Sequence, residues 1–407
     1  MPADRQSPEA VIEFNPLAAE MTVDPYPHYR RLRETAPVYF SPMGFWILTG
    51  HGDVTAFFSN RTLEHRYSIT QTARCGPGVV DEAYYELFQH MVFILDGPTH
   101  TRIRRLLSST FTPRRVMALR NRTVDIADKL IREFAASGRA ELVADFARPF
   151  PIEVIGELMG VPEADRQRVG TLSESLNPAL EFLPMSGETL AAVNSAVGEL
   201  DSYFTYLITA KRAEPADDLL SALVHSSNVD GAMSPIELVA NAILMYLAGH
   251  ETTAGAVSLA VLALHRNPDQ LGLLKATPAL RGGAVEELLR YDSPGQATAR
   301  IATEPISLSG TDIKAGDMLV AYIAAANRDP AVFAEPDRLD IARSIERQSS
   351  FGGGAHLCLG HALARQELEV ALERLLLHLP DMRLDTLDPP FRPTALMRGV
   401  ASLGASW

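Results

Sequence analysis

Cysteine is close to absent from this chain: Cys75 and Cys358 are the two thiols in 407 residues, far apart and in unlike surroundings. A disulfide framework is excluded, a reducing compartment is expected, and at least one thiol is left for chemistry. Basic charge is short as well. The 37 Lys and Arg against 50 Asp and Glu give a net charge of −13, which opposes nucleic-acid binding because neutralising phosphates takes a basic surface. No Ser/Gly/Pro-rich linker, charge block or internal repeat marks a boundary, so one unit spanning 1–407 is expected, although length alone would permit two. The opening MPADRQSPEAVIEF carries acids and prolines where a signal peptide needs an apolar core. No later apolar run approaches the roughly 20 residues of a membrane span, so a soluble, cytoplasmic protein is expected.

Against those absences stands a large apolar fraction. At 46% hydrophobic residues the chain can bury a substantial core and belongs with globular proteins. Val38 to Gly50 reads as a hairpin, with aromatic and branched runs on either side of Ser41-Pro42-Met43-Gly44. Residues 60–95 read as irregular. Beyond them helical spacing dominates, over Pro98–Leu107, Val124–Ala136, Ile152–Met159, Glu188–Arg212 and Asp217–Val224. A helix at Gly283–Tyr291 leads into short strands and turns, then into a Pro-punctuated stretch from Asn327 to Arg347. The last helix, roughly Cys358 to Leu379, carries its leucines on one stripe.

The longest helical candidate, Pro235–His265, is apolar almost all round and should cross the centre of the fold, opened by Ser234 as N-cap. Gly249, His250, Glu251, Thr252 and Thr253 sit in its middle. Gly and Thr weaken a helix, and a core carboxylate is costly unless paired or used. His250 reads as a packing or solvent-facing residue.

The segment FGGGAHLCLG, Phe351 to Gly360, is the second feature that asks for a function. Its three glycines permit positive φ and let backbone approach a flat ligand without Cβ clashes. Amides in such a turn can point at a negative sulfur, and a helix starting at Cys358 would favour its thiolate. A buried, inert cysteine is the commonest alternative. Zinc would want more than His356 and His361 beside one thiol, and a nucleophile would want a paired base that the sequence does not locate. One basic run, Arg102, Arg104, Arg105, Arg114, Arg115, Arg120 and Arg122, meets no acid before Asp125. It is either a solvated helix face or a patch that steers an acidic partner.

Phe351, Gly352, Gly354, His356, Cys358 and Gly360 match F-G-x-G-x-H-x-C-x-G, and on these residues the chain resembles the cytochrome P-450 superfamily, soluble bacterial members above all. Ala248-Gly249-His250-Glu251-Thr252-Thr253 is similar to the oxygen-activating motif of the family's central helix. Glu287-Leu288-Leu289-Arg290 is similar to its E-x-x-R pair, and Asn327-Arg328-Asp329-Pro330 opens a segment similar to its meander. The resemblance covers nearly the whole chain.

It implies a mostly α (α+β) fold, a triangular helical body with a small β-rich subregion, acting as a monooxygenase. Haem b would take Cys358 as axial ligand, with Phe351 and Gly360 in the binding loop and His100, Arg104, Arg300 and His356 at the propionates. Ala248 and Gly249 would leave room for O2 and substrate. Thr252 would bond back to the Ala248 carbonyl, and Glu251 with Thr252 would deliver protons. Glu287, Arg290 and Arg338 would form a structural ion network, with Leu339 standing where the family usually has Phe. Met91, Phe93, Leu244, Gly295, Thr298 and Leu396 would line a pocket for a mainly apolar small molecule, such as a polyketide macrolide or terpenoid of secondary metabolism. Hydroxylation is the expected reaction, with epoxidation or repeated oxidation within family reach. A non-oxygenase haem protein and a peroxide-driven or isomerase variant are the alternatives, and intact Glu251 and Thr252 argue against them. A monomer is expected, supplied with electrons by a ferredoxin, docked on the arginine run, and an NAD(P)H-dependent ferredoxin reductase.

Overall fold

The computed structural model describes residues 14–16, 18–181, 184–226 and 232–407; the opening stretch read above lies outside them but for Phe14. The helices used below are, in chain order, α1 (His51–Ser59), α2 (Gly97–Thr110), α3 (Pro113–Ala135), α4 (Pro149–Met159), α5 (Glu163–Glu174), α6 (Gly187–Ala213), α7 (Pro235–Arg266), α8 (Arg281–Tyr291) and α9 (His361–His378). The chain packs into two compact units, each assembled from separate stretches. One takes Met1–His65, Arg266–Cys358 and Pro390–Ala401; the other takes Arg66–His265, Leu359–Pro389 and Ser402–Trp407.

The first unit is built on a five-stranded sheet: β1 (Val38–Phe40), β2 (Trp46–Leu48), β3 (Leu63–Glu64), β4 (Ala297–Ala302) and β5 (Met318–Tyr322), in the order β1-β2-β5-β4-β3. The expected hairpin is present, with Val38 opposite Leu48. Its turn closes where Gly44 N–H donates to Ser41 O at 2.9 Å, and Gly44 takes a φ of +89° that only glycine adopts without strain. β2 runs parallel to β5, and β5 antiparallel to β4. Branched and aromatic residues on one sheet face meet α1 in a core of Leu48, Val54, Phe57, Leu63 and Leu319, which fixes α1 and the chain end that follows it.

The second unit is organised around α7. Its start carries the expected cap: Glu237 N–H donates to Ser234 Oγ at 3.4 Å while the Glu237 carboxylate accepts from Ser234 N–H at 2.8 Å, a reciprocal capping box. By length and mean hydropathy α7 would also pass for a membrane span, so the expectation that no apolar run approaches that length is corrected. The most apolar window of the helix is 78% buried, as in a core helix. α3 and α9 are clamped together by Arg374, whose guanidinium donates to both Asp128 oxygens at 2.6 and 2.8 Å.

Two sequence expectations fail locally. Residues 60–95 are not irregular: helices occupy Tyr67–Cys75 and Ala83–Phe88 with a 3-10 turn, Pro77–Asp81, between them. Helices this short have too few turns to show a period. They are held from outside, as where Tyr84 N–H donates to Asn194 Oδ1 of α6 at 3.0 Å. The last helix starts at His361 rather than Cys358; Cys358 belongs to the preceding loop, where its N–H donates to Phe351 O at 2.9 Å.

Candidate functional site

The thiol loop of the first unit is shaped by its own backbone. Besides the Cys358–Phe351 bond, Gly352 N–H donates to Ser349 O at 2.8 Å and Leu357 N–H to Gly354 O at 3.3 Å. Gly354 has φ +60°, and a Cβ there would lie 2.1 Å from the carbonyl oxygen of Phe58. At Gly353 a Cβ would lie 3.0 Å from the Phe58 Cβ. Gly353 and Gly354 therefore also let the loop seat on the end of α1, while Gly352 and Gly354 take the positive φ expected of them. So seated, the loop presents Cys358 as a half-buried thiol that is in no disulfide. His356 packs its ring against that of His65, centroids 4.5 Å apart.

Arg300 projects from β4 and is only 6% exposed. One of its nitrogens donates to Thr298 Oγ1 at 3.1 Å and to Ala299 O at 2.7 Å, and its guanidinium lies 5.7 Å from the Phe57 ring centre. Thr298, read as a pocket residue, thus also steadies Arg300. Gln296 N–H donates to Leu396 O at 2.8 Å and Gly295 bridges Met397, so Gly295, Thr298 and Leu396 are brought into one paired segment of this unit.

The ion network is partly as expected. Arg290 and Glu287, both fully buried, share two hydrogen bonds of 2.6 and 2.8 Å, and the remaining Arg290 nitrogen reaches Asn327 O and Pro336 O, both at 2.9 Å. The third side chain is Arg343, not Arg338: Arg343 Nε lies 3.3 Å from Glu287 Oε1. Arg338 is 58% exposed and pairs with Glu335 and Asp340. Only its carbonyl joins the cluster, accepting from Arg343 at 3.2 Å. A second arginine five residues on, in PDRLDIAR, was the signal available in the sequence.

In the second unit the middle of α7 breaks its own burial pattern. Ala248 is exposed and Thr252 half-exposed on a helix otherwise buried nearly all round. Thr252 Oγ1 donates to Ala248 O at 3.2 Å. Gly249 has a different reason from the one expected: a Cβ there would come within 2.7 Å of Ile155 Cγ1, so its smallness lets α4 cross α7. Glu251 is 6% exposed. His250 is fully buried, with Nδ1 2.7 Å from Tyr246 O, so it packs and does not face solvent.

Thr253 Oγ1 lies 3.2 Å from Glu367 Oε2 of α9, a contact the sequence reading missed. Burial pushes the Glu367 carboxyl well above its ordinary 4.5, opposed only by the Thr253 hydrogen bond. Its position four residues after Leu363, on the leucine stripe, was the available sign.

On α2, His100 is buried and Arg104 half-buried one turn later. Asn241 of α7 accepts from Val92 N–H at 2.9 Å and donates to His90 O at 2.9 Å. It thereby pins the segment of Met91 and Phe93 beside the α7 stretch that carries Leu244. The basic run is less isolated than its sequence suggests: Arg102 pairs with Glu237, Arg115 with Asp217, Arg120 with Glu369 and Glu373, and Arg122 with Glu157. Arg105 and Arg114 remain exposed.

The family model for cytochrome P450 matches residues 71–271 and 280–392. The chain belongs to the cytochrome P-450 family. It is 36% identical over 98% of its length to the cytochrome P-450 monooxygenase PikC of Streptomyces venezuelae, 94% of which is covered. It is 37% identical to 6-deoxyerythronolide B hydroxylase of Saccharopolyspora erythraea, with 94% of this chain and 95% of that one aligned. Among solved structures, CalO2 superposes with a TM-score of 0.91 at 32% identity, covering 98% of this chain and 99% of the other. As a P-450 the protein is a monooxygenase that takes a small-molecule substrate and draws electrons from redox partners.

P-450 enzymes hold haem b by a cysteine thiolate, and the residues present fit that group. Within the first unit a half-buried thiol sits on a hydrogen-bonded loop, and the buried cation Arg300 suits an acidic side group. Bound haem b supplies an iron that accepts electrons and activates O2.

Proposed function

We propose that this P-450 hydroxylates a mainly apolar secondary-metabolite scaffold, such as a polyketide macrolide or terpenoid, with Cys358 as the axial haem ligand. The observation that carries the assignment is the Phe351–Cys358 hydrogen bond on the glycine loop, which holds one of the two thiols rigidly at a half-exposed position. Cys75 is the competing thiol; it ends a helix and lies 4.0 Å from the Tyr84 hydroxyl.

His100, Arg104, Arg300 and His356 contact the propionates in this reading, and Phe351 and Gly360 belong to the haem-binding loop. Glu251 holds a proton for Thr252, whose hydroxyl is oriented by the Ala248 carbonyl, and the small side chain of Ala248 admits substrate. Met91, Phe93, Leu244, Gly295, Thr298 and Leu396 are the proposed substrate contacts, small and apolar for the most part. A relative named for hydroxylating 6-deoxyerythronolide B supports the macrolide class. The electron donors are a ferredoxin and an NAD(P)H-dependent ferredoxin reductase, the protein works as a cytoplasmic monomer, and the chain acts as one domain because each unit's stretches are interrupted by the other's.

The test is the spectrum of the dithionite-reduced holoprotein under carbon monoxide. Wild type and Cys75→Ser show the long-wavelength Soret band of thiolate ligation, and Cys358→Ser lacks it. A band that survives Cys358→Ser refutes the ligand assignment. Binding titrations with macrolides, terpenoids and fatty acids, read by displacement of water from iron, decide the substrate class.

A further inference from the structure

His250 has no part in the chemistry above, and its surroundings are unusual for a core histidine. Nδ1 faces the Tyr246 carbonyl at 2.7 Å. A carbonyl only accepts, so Nδ1 carries the proton and Nε2 of the neutral ring is a bare lone pair. That nitrogen is buried without a hydrogen-bond partner and lies 4.0 Å from Glu174 Oε1. One ring nitrogen of His250 and one carboxylate oxygen each of Glu174 and Glu251 lie within 4.8 Å of one another. The bare His250 nitrogen thus faces two carboxylates across one small space, and a proton arriving on Nε2 would be held there.

The charged groups that act most strongly on His250 are Glu251, Glu174 and Arg148. From the start of α4, Arg148 donates to both oxygens of Glu174, its Nε at 2.5 Å from Oε1. Glu174 ends α5, and Tyr246 and Glu251 lie on α7 itself, the Tyr246 hydroxyl being committed to Arg166 O at 2.9 Å. Burial is the largest influence on His250 and holds it below its ordinary 6.5; the Tyr246 carbonyl, Glu251 and Glu174 pull upward, and Arg148 adds to the lowering. The ring rests neutral, with two carboxylates placed to hold its cation. The Arg148 side chain is 46% exposed and that of Glu174 18%, so the cluster meets water at that edge and ends, inside, at the residue next to Thr252.

We propose that His250 is a positioning residue for the Glu251 proton: Nε2 takes a proton from water at the Arg148–Glu174 edge and passes it to the Glu251 carboxylate. A hydronium proton bonds to Nε2 and leaves water behind; that N–H bond then breaks as the Glu251 O–H forms. Nδ1–H stays on the Tyr246 carbonyl throughout, and no electrons move. The inference rests on the reading that Glu251 feeds Thr252.

Two measurements on the full-length holoenzyme test it. The first needs no turnover: 15N-histidine NMR of the diamagnetic ferrous carbon monoxide complex, for wild type and His250→Gln. One histidine, missing in the variant, should show a protonated Nδ1 and a bare Nε2 at neutral pH, and Nε2 should gain a proton as pH falls. The opposite tautomer, or no titration, overturns the proposal. The second is NADPH-driven O2 uptake of the substrate-free enzyme with a plant-type ferredoxin and its reductase, across pH and in D2O. Wild-type uptake should fall as pH rises. His250→Gln and Glu174→Gln should flatten that profile, raise the solvent isotope effect and slow uptake on the order of ten-fold, less than the roughly hundred-fold lower end for losing a positioned proton-transfer group, because water still reaches Glu251 slowly. If Glu251→Gln slows uptake while the other two variants keep the wild-type profile and isotope effect, the relay is wrong. If Glu251→Gln changes nothing, the underlying reading of Glu251 is wrong instead.

Discussion

A Cβ added to Gly354 would lie 2.1 Å from the carbonyl oxygen of Phe58, and the glycine already holds φ +60°. An L side chain in that left-handed conformation costs roughly 1–2 kcal/mol before any clash. The backbone contact cannot be relieved by turning a side chain, so Gly354→Ala should lower stability by about 2 kcal/mol or more and release haem at lower urea concentration. Denaturation followed in the Soret band checks it; an unchanged midpoint would show that the loop seats on α1 less tightly than described.

Arg343 and Arg338 sit in one short segment and should behave oppositely. Removing Arg343 leaves the buried Glu287 short of a cation, a loss of about 3 kcal/mol, the low end for opening a buried ion pair. Arg338, paired only at the surface, should change stability by less than about 0.5 kcal/mol on substitution by Ala. Urea midpoints of the two alanine variants decide between this arrangement and one in which Arg338 is the network's third member.

Glu367 makes the fold lose stability as pH rises above the ordinary carboxyl value of 4.5. Its carboxyl titrates well above 4.5 when buried, whereas the unfolded chain ionises near 4.5. Below that value both states are protonated and nothing is lost. As pH climbs past it the unfolded state gives up its proton and the folded state does not, so stability falls toward the folded pKa. Glu367→Gln, which keeps a polar group for Thr253 without titrating, should therefore gain on wild type as pH goes from 5 to 8. Paired urea titrations at the two pH values measure it, and a gap independent of pH would remove Glu367 as the cause.

Thr252 donates its hydroxyl to Ala248 O, and the proposed function gives it a part in proton delivery. Thr252→Ala should bind haem normally, keep its thermal midpoint within a few degrees, and send a several-fold larger share of NAD(P)H electrons to peroxide. Peroxide released per NAD(P)H consumed is the measurement; unchanged coupling contradicts the role.

Docking of an acidic ferredoxin should be weakened by salt. Raising ionic strength from about 0.01 to about 0.15 M shortens the Debye length from about 30 to about 8 Å. Ferredoxin-driven turnover should fall several-fold, through the association rate. The internal pairing of Arg102, Arg115, Arg120 and Arg122 leaves Arg105 and Arg114 as the exposed cations to reverse to Glu. Turnover indifferent to both salt and these reversals would remove the arginine run as the docking surface.

What the amino-acid order determined by itself was local. The thiol loop, the hairpin, the cap at Ser234 and the full span of α7 were all legible, because turn glycines, capping residues and apolar period act over a few neighbouring positions. The same reading misplaced whatever depends on distant partners. Arg343 rather than Arg338 reaches Glu287, Gly249 is small because Ile155 crosses it, and His250 faces Glu174 from another helix. Only the tertiary structure decided these, since burial and hydrogen-bond partners come from residues tens to hundreds of positions away, and a spacing rule carries no information about them.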